Sequence, residues 1–369
     1  MSKYAELGID VNKKGIEVFK RIIDNLFPNA FCPIIKDRFN ENLGVVMHAD
    51  GAGSKPLVSY IYWKEFGELE KFKGISQDVI AMNVDDIVCV GAKPLYMIDY
   101  IAINTFNLPK EDVLRVLSEG FSDTLGSLTN FGIHISFLGG ETAELPDQLS
   151  TIDVSAAIFG IVELSHIISA ERITPGDKII GVRSGGRTIY ERRENSGIMC
   201  NGLTLARRCL LSREYGERYP EIRGFSGKPY FGRFKVDDHI DELNMTVGEA
   251  LLSPTRIFAP IVFKLLERFD TGIKAMIHNT GGGLTKCARV GRGIHYIKNN
   301  LLKPDPIFEL IQREAKEDWR SMYQTFNMGI GFEIIVVSEI VDDVIEEIEK
   351  FGIEARVIGF CRKNSDVTN

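Results

Sequence analysis

The spacing of the apolar positions changes repeatedly along the chain, and each change marks an element. Leu43 to Ala49 is a mostly apolar run that enters a glycine turn, which predicts a strand. Ser76 to Val90 predicts a helix closed by Gly91 and Pro94. After Pro109, which suits a first helical turn, Val113, Leu117, Phe121, Leu125 and Leu128 recur at three- and four-residue steps as far as Gly132. That is an amphipathic helix. Ile133, Ile135 and Phe137 then alternate with His134 and Ser136, a strand running into Gly139-Gly140, and Val154 to Val162 predicts another. The N-terminal half therefore reads as an α+β domain.

Thr174-Pro175-Gly176-Asp177 is a turn signature ahead of a fresh strand, Lys178 to Val182. It places a domain boundary, giving an N-terminal domain over 1–172 and a C-terminal α+β domain over 173–369. A strand at Gly331 to Val337, a helix at Val341 to Lys350 and a strand at Glu354 to Phe360 close the chain as β-α-β. Two surface insertions are expected, near 187–197 and 213–240. Arg187 to Ser196 is strongly charged, and Arg213 to Lys235 interleaves six basic residues with six aromatics and three glutamates. Basic and aromatic residues together can contact phosphates and stack on bases. A net charge of −7 over the whole chain favours a solvated excursion instead, and argues against nucleic-acid or membrane partners.

Composition narrows the rest. With 369 residues, 44% hydrophobic and 26% charged, the chain is too long for one compact core and suits two domains. Six cysteines without any C-x-x-C, and six histidines in no ligand spacing with them, suggest neither disulfides nor zinc and fit a reduced cytoplasm. No stretch approaches the ~18 uncharged apolar residues of a membrane span, and the N-terminus lacks a signal core. Glycine is in surplus: 35 residues, against roughly 26 at the average share of ~7%.

The surplus collects beside acidic residues. His48-Ala49-Asp50-Gly51-Ala52-Gly53-Ser54-Lys55 is a strand end opening into a glycine loop, where bare backbone N–H groups approach a phosphate, lysine adds charge and Asp50 can hold Mg²⁺. A plain turn is an equal alternative. In the predicted helix, Asp78 and Asp85 share one face two turns apart, with Asp86 one step round. Charges inside so apolar a helix need a partner, either solvent on an amphipathic face or a divalent cation. Gly139-Gly140-Glu141-Thr142 repeats the pattern of strand, glycines and carboxylate, so three acidic turns could converge on an oxygen-only Mg²⁺ site. Further on, the strand Ile273 to His278 runs through Asn279 and Thr280 into Gly281-Gly282-Gly283, an arrangement that aims N–H groups at an anion. Met322 to Gly331 reads as a polar-aromatic loop before a strand.

In this order, the segments resemble the aminoimidazole ribonucleotide synthetase family, also called phosphoribosylformylglycinamidine cyclo-ligase. The similarity runs through Tyr4-x-x-x-Gly8-Ile9-Asp10, His48 to Lys55, Asn83 to Asp86 with Gly91 to Pro94, and Gly139 to Pro146. It continues through Leu252 to Ile257, His278 to Gly283 and Met322 to Gly331, so it covers nearly the whole chain. It implies a two-domain α+β synthetase whose N-terminal domain carries a ferredoxin-like sheet, binds ATP and Mg²⁺ and pairs as a homodimer. The implied reaction belongs to de novo purine biosynthesis: ATP-driven cyclisation of formylglycinamidine ribonucleotide to aminoimidazole ribonucleotide, ADP and phosphate.

Residue by residue, the resemblance implies Asp50, Lys55 and His278 in catalysis and Asp50, Asp86 and Glu141 as Mg²⁺ ligands. Gly51, Gly53, Ser54, Lys55, Asp78, Asn83, Glu141 and Thr142 would bind the nucleotide, and Thr280, Gly281, Gly282, Gly283 and Asn201 the substrate phosphate. The chain departs from the family in three places. Asp85 stands where the family usually has Asn, and Asn29-Ala30-Phe31-Cys32-Pro33 replaces a lysine-containing glycine-rich loop. Ile198-Met199-Cys200-Asn201-Gly202 replaces Pro-His-Ser-Asn-Gly, leaving His48 and His278 as the imidazoles that could stand in for the missing one. Other ATP-dependent enzymes of the superfamily, selenophosphate synthetase and thiamin-monophosphate kinase among them, and a non-catalytic nucleotide-binding paralogue are the alternatives.

Overall fold

The computed structural model describes residues 2–10, 15–224, 227–269 and 271–364. A short helix α1 (Lys3–Glu6) precedes strands β1 (Ile35–Lys36) and β2 (Leu43–Gly51). Helices α2 (Pro56–Phe66) and α3 (Lys73–Val88) lead to β3 (Lys93–Ile103), α4 (Lys110–Thr129), β4 (Ser136–Glu144) and β5 (Ile152–Glu163). These strands form one sheet in the order β1-β2-β5-β3-β4, antiparallel except for the β3–β4 pair that α4 connects. Along β5 the residues alternate between buried and more open, so the sheet has one face packed on helices α3 and α4 and one face open. Glu111 and Asp112 complement the dipole at the start of α4, directly after Pro109.

The second sheet begins at β6 (Lys178–Arg183). Helices α5 (Leu203–Leu210) and α6 (Arg213–Arg218), the strand pair β7 (His239–Ile240) and β8 (Met245–Thr246), and helices α7 (Val247–Leu252) and α8 (Ala259–Phe269) follow. Then come β9 (Ile273–His278), β10 (Ile294–Lys298), α9 (Pro306–Ala315), α10 (Trp319–Thr325), β11 (Ile330–Val336), α11 (Val341–Glu349) and β12 (Ala355–Lys363). The sheet order is β10-β12-β6-β11-β9, antiparallel throughout. The closing β-α-β is present, but β11 and β12 are not neighbours: β6 lies between them and pairs with both.

Three local expectations are corrected. β4 does not stop at the glycines but runs through Gly139-Gly140-Glu141, so the third acidic turn is strand. Gly139 absorbs the bend with φ +82°, and Gly140 lies so close to Asp99 that a Cβ would sit 2.0 Å from its carbonyl oxygen. The first residues of the expected loop, Met322 to Thr325, belong to helix α10, which starts at Trp319 with the Asp318 side chain accepting from Ser321 N–H. The 213–235 insertion is not a displayed basic-aromatic surface. Tyr215, Tyr219 and Tyr230 are buried, Tyr60 donates to Glu221, and Arg218 pairs with Glu65 at 2.7 Å, which docks the segment on α2; Phe225 and Ser226 lie outside the described residues. Arg187 to Ser196 is also tied down, with Tyr190 donating to the Ile257 carbonyl and Asn195 to that of Pro254.

Candidate functional site

Helix α3 is the seam between the two halves. All three of its aspartates are buried, and each reaches a group of the C-terminal half. Asp78 Oδ1 accepts from Lys55 Nζ at 2.6 Å and from the Thr255 hydroxyl and N–H at 2.6 and 2.7 Å. Asp85 accepts from the Phe258 and Ala259 N–H groups at 2.9 Å, capping the first turn of α8. Burial pushes the Asp85 carboxyl well up, against the two N–H groups that stabilise its charge. The aspartate at this position thus has a structural reason.

Asp86 is the centre of a polar cluster. Oδ1 faces His278 Nδ1 at 2.8 Å, and Oδ2 faces His48 Nε2 at 3.2 Å and Lys286 Nζ at 3.7 Å. Burial by itself would raise this carboxyl, but the Lys286 charge and the two imidazoles outweigh it and hold Asp86 well below the usual range. Asn83 orients one ring: its Nδ2 donates to the Asp50 and Val79 carbonyls, which turns its Oδ1 to His48 Nδ1 at 3.2 Å. Burial lowers the His278 imidazole, only partly countered by Asp86, so it is neutral, donates Nδ1–H to Asp86 and leaves a buried Nε2 with no partner. For His48 the balance tips the other way: burial would lower it, but Asp86, Asp50 and Asn83 raise it above its ordinary value.

The glycine turns flank this cluster. Gly53 adopts φ +58° and is exposed, whereas Gly51 is tight against β5, where a Cβ would lie 2.8 Å from the Val154 carbonyl oxygen. Ser54 meets Thr204 at 3.1 Å and Arg207 Nε at 3.3 Å, both from α5. On the other side, the Thr280 hydroxyl accepts from Lys286 Nζ at 2.5 Å, Gly281 lies against Asn201 Oδ1, and Asn201 Nδ2 is buried without a partner. Gly282 and Gly283 have φ of +100° and +52°, and a Cβ on Gly283 would be 2.4 Å from the Tyr323 carbonyl oxygen.

The structure therefore brings together Asp86, Asn83, His278 and the Thr280–Gly281–Asn201 set. Two expectations are not met by the side-chain placement. Lys55 is fully buried, held between Asp78 and the Ser253 carbonyl, and does not project toward the glycine turn. Asp50, Asp86 and Glu141 do not converge: Asp50 shares a row with Ala156 and Asp99, while Glu141 shares the next row, on the opposite face, with Tyr100 and Ser155. Both Asp86 oxygens are already occupied, and among the described residues no group of three His, Cys, Asp or Glu side chains could hold a metal ion. Thr142, next to Glu141, faces a depression under α4 with Asp99 and Phe121. Cys32 donates to the Asp86 carbonyl at 3.2 Å, and burial pushes its thiol well up, so it is no exposed nucleophile. The sequence reading missed Lys286, Thr255 and Arg207. Lys286 could have been found as the cation three residues past the glycine triplet, and Thr255 as part of the Leu252 to Ile257 segment; Arg207 carried no local signal.

Two five-stranded sheets joined along an acidic helix, with a glycine turn on each side of the seam, define a two-domain α+β protein with its reactive groups between the domains. The chain belongs to the AIR synthase related family: residues 30–162 match its N-terminal domain and residues 174–367 its C-terminal domain. Phosphoribosylformylglycinamidine cyclo-ligase of Methanocaldococcus jannaschii is 34% identical over 317 residues, covering 85% of this chain and 77% of the relative. The protein of the same name from Methanothermobacter thermautotrophicus is 31% identical over 97% of this chain and 94% of its own. Among solved structures, AaThiL complexed with AMPPCP and TMP shares the fold at a TM-score of 0.58, 12% identity, and 96% and 94% coverage of this chain and that one. The HypE–HypF complex does so at 0.53, 14% identity, and 94% and 92% coverage.

Proposed function

We propose that this chain is an ATP-dependent cyclo-ligase that converts formylglycinamidine ribonucleotide to aminoimidazole ribonucleotide, ADP and phosphate. The observation that carries this reading is the Asp86 cluster at the domain seam, with an anion-compatible glycine turn on each side of it. Relatives bearing the cyclo-ligase name over most of the chain support it. In the reaction, the formyl oxygen of the substrate takes the γ-phosphoryl group of ATP and ADP is released; the substrate's amidine nitrogen then attacks the formyl carbon, loses its proton, and phosphate departs as the ring closes.

The chain's own contribution is positioning and charge. Asp86 fixes the ring of His278, which is as fully buried as Lys55, so it supports the cluster from within rather than taking a proton from the substrate. Lys286, Thr280, Asn201 and Gly281 to Gly283 hold the substrate phosphate. Mg²⁺ on the nucleotide would neutralise phosphate charge; Asp50, an exposed carboxylate at the glycine turn, suits it as a ligand, since Mg²⁺ on a nucleotide needs only one or two, whereas Asp86 does not and Glu141 lies on the opposite face of the sheet. Thr142, Gly51, Gly53 and Ser54 remain nucleotide contacts in this reading, while Lys55 and Asp78 support the turn from below. A second copy would pair on the open face of the first sheet, where Met47, Tyr96, Ile98 and Tyr100 are exposed. All six thiols are free and buried, which suits a reducing cytoplasm. Among the described residues, no helix is long and apolar enough to cross a membrane.

The test is direct. Incubation with ATP, Mg²⁺ and formylglycinamidine ribonucleotide should yield ADP and aminoimidazole ribonucleotide in equal amounts. ATP turnover independent of the ribonucleotide, or none, overturns the reading.

A further inference from the structure

Among the described residues four cations are buried: Lys55, Arg207, Arg208 and Arg256. Two have carboxylate partners, Lys55 with Asp78 and Arg256 with Glu191, each at 2.6 Å. Arg207 and Arg208 have none among the described residues. Arg208 spends its donors on the carbonyls of Arg223 and Lys228 and so secures the 213–235 insertion. Arg207 does something else: Nε donates to Ser54 at 3.3 Å, Nη1 donates to the Tyr230 hydroxyl, and the guanidinium lies 5.2 Å over the Tyr230 ring.

A buried guanidinium without a counter-charge is costly, and leaving it so at a domain seam calls for a compensating anion. The neighbouring group is Ser54, in the turn where Gly53 is exposed and left-handed. Lys55 cannot supply the charge there, because Asp78 and the Ser253 carbonyl hold it inside. We propose that Arg207 is a phosphoryl-binding residue, reaching from the C-terminal half to the Gly51–Ser54 turn, with Tyr230 of the insertion holding it in place. The site itself stands on the geometry; only the identity of the phosphorylated ligand rests on the cyclo-ligase reading.

Arg207→Met, Arg207→Lys and wild type are compared by thermal melting with tripolyphosphate and by calorimetric titration with ADP and with formylglycinamidine ribonucleotide. Tripolyphosphate should raise the melting temperature of wild type and Arg207→Lys but not of Arg207→Met. Affinity for one phosphorylated ligand should fall at least about tenfold in Arg207→Met, as for a lost charge-assisted hydrogen bond. Loss with ADP alone assigns the site to the nucleotide, and loss with the ribonucleotide alone to the substrate phosphate. Without ligand, Arg207→Met should melt no lower than wild type, because it removes an uncompensated charge. Tyr230→Phe, which keeps the ring, should weaken the same ligand about threefold if Arg207→Met does not fold. Retained polyphosphate stabilisation in Arg207→Met, or a lower unliganded melting temperature with unchanged affinities, overturns the proposal. Arg207-dependent polyphosphate binding in a wild type that takes neither ADP nor the ribonucleotide would instead sink the cyclo-ligase reading alone.

Discussion

Asp78 and Lys55 show how one side chain's role follows from where burial puts it. Next to a glycine loop, a lysine reads as a phosphate contact; here both charged groups are inaccessible and 2.6 Å apart. A buried pair of this kind is costly to break, because the surviving charge is left unpaired in a poor solvent. Asp78→Asn should therefore lower stability by about 3–5 kcal/mol, seen as a lower urea midpoint. Lys55→Met added to it should recover part of the loss, and an unchanged midpoint in the single variant would refute the structural role. The carboxylates on α3 were visible in the sequence as charges needing partners. Which partner each took was not, because Thr255, Phe258 and His278 are 170 or more residues away along the chain.

Among the elements, β4 illustrates how packing overrides a local turn signal. Two consecutive glycines normally end a strand. In β4 they continue it, since Gly140 has to admit the Asp99 main chain and Gly139 has to take a left-handed bend. Gly140→Ala should destabilise by about 1–3 kcal/mol or more through overpacking. Gly126→Ala, in α4 with open space around it, should instead be neutral or gain up to about 1 kcal/mol. Equal melting temperatures for the two variants would contradict this placement of β4. Helices with a clear apolar stripe and a start signal were legible: α4 lies where Pro109 and its three- and four-residue steps place it, and β9 spans the expected Ile273–His278. Helix α10 was not legible because its N-cap, Asp318, lies outside the polar-aromatic segment Met322 to Gly331.

For the whole molecule, the open face of the first sheet sets the remaining expectation. Met47 and Ile98 are 63% and 47% exposed, and cross-strand rows bring Met47 and Tyr96 together over Phe159, with Ile98 beside Ala157. A contiguous apolar sheet face of this kind suits the proposed pairing with a second copy. Sedimentation should find a dimer for the wild type and a monomer for Ile98→Glu, since a charge in the centre of an apolar contact has no partner. A wild-type monomer would refute the pairing.

The sequence by itself determined the local grammar: two α+β halves, the amphipathic helix, the glycine turns after β2 and β9, and the order of segments that marks the family. These depend on residues near one another in the chain, whose periodicity and backbone freedom are local properties. Only the tertiary structure decided which charges are internal pairs and which have no carboxylate partner among the described residues. Lys55 and Arg207 have the same sign and both lie near the Gly51–Ser54 turn, yet one is neutralised by Asp78 and the other has no carboxylate. That difference arises where the Gly51–Ser54 turn meets α3 on one side, through Lys55 and Asp78, and α5 on the other, through Ser54 and Arg207, and the cost of an unpaired buried charge exists only once the chain has folded around it.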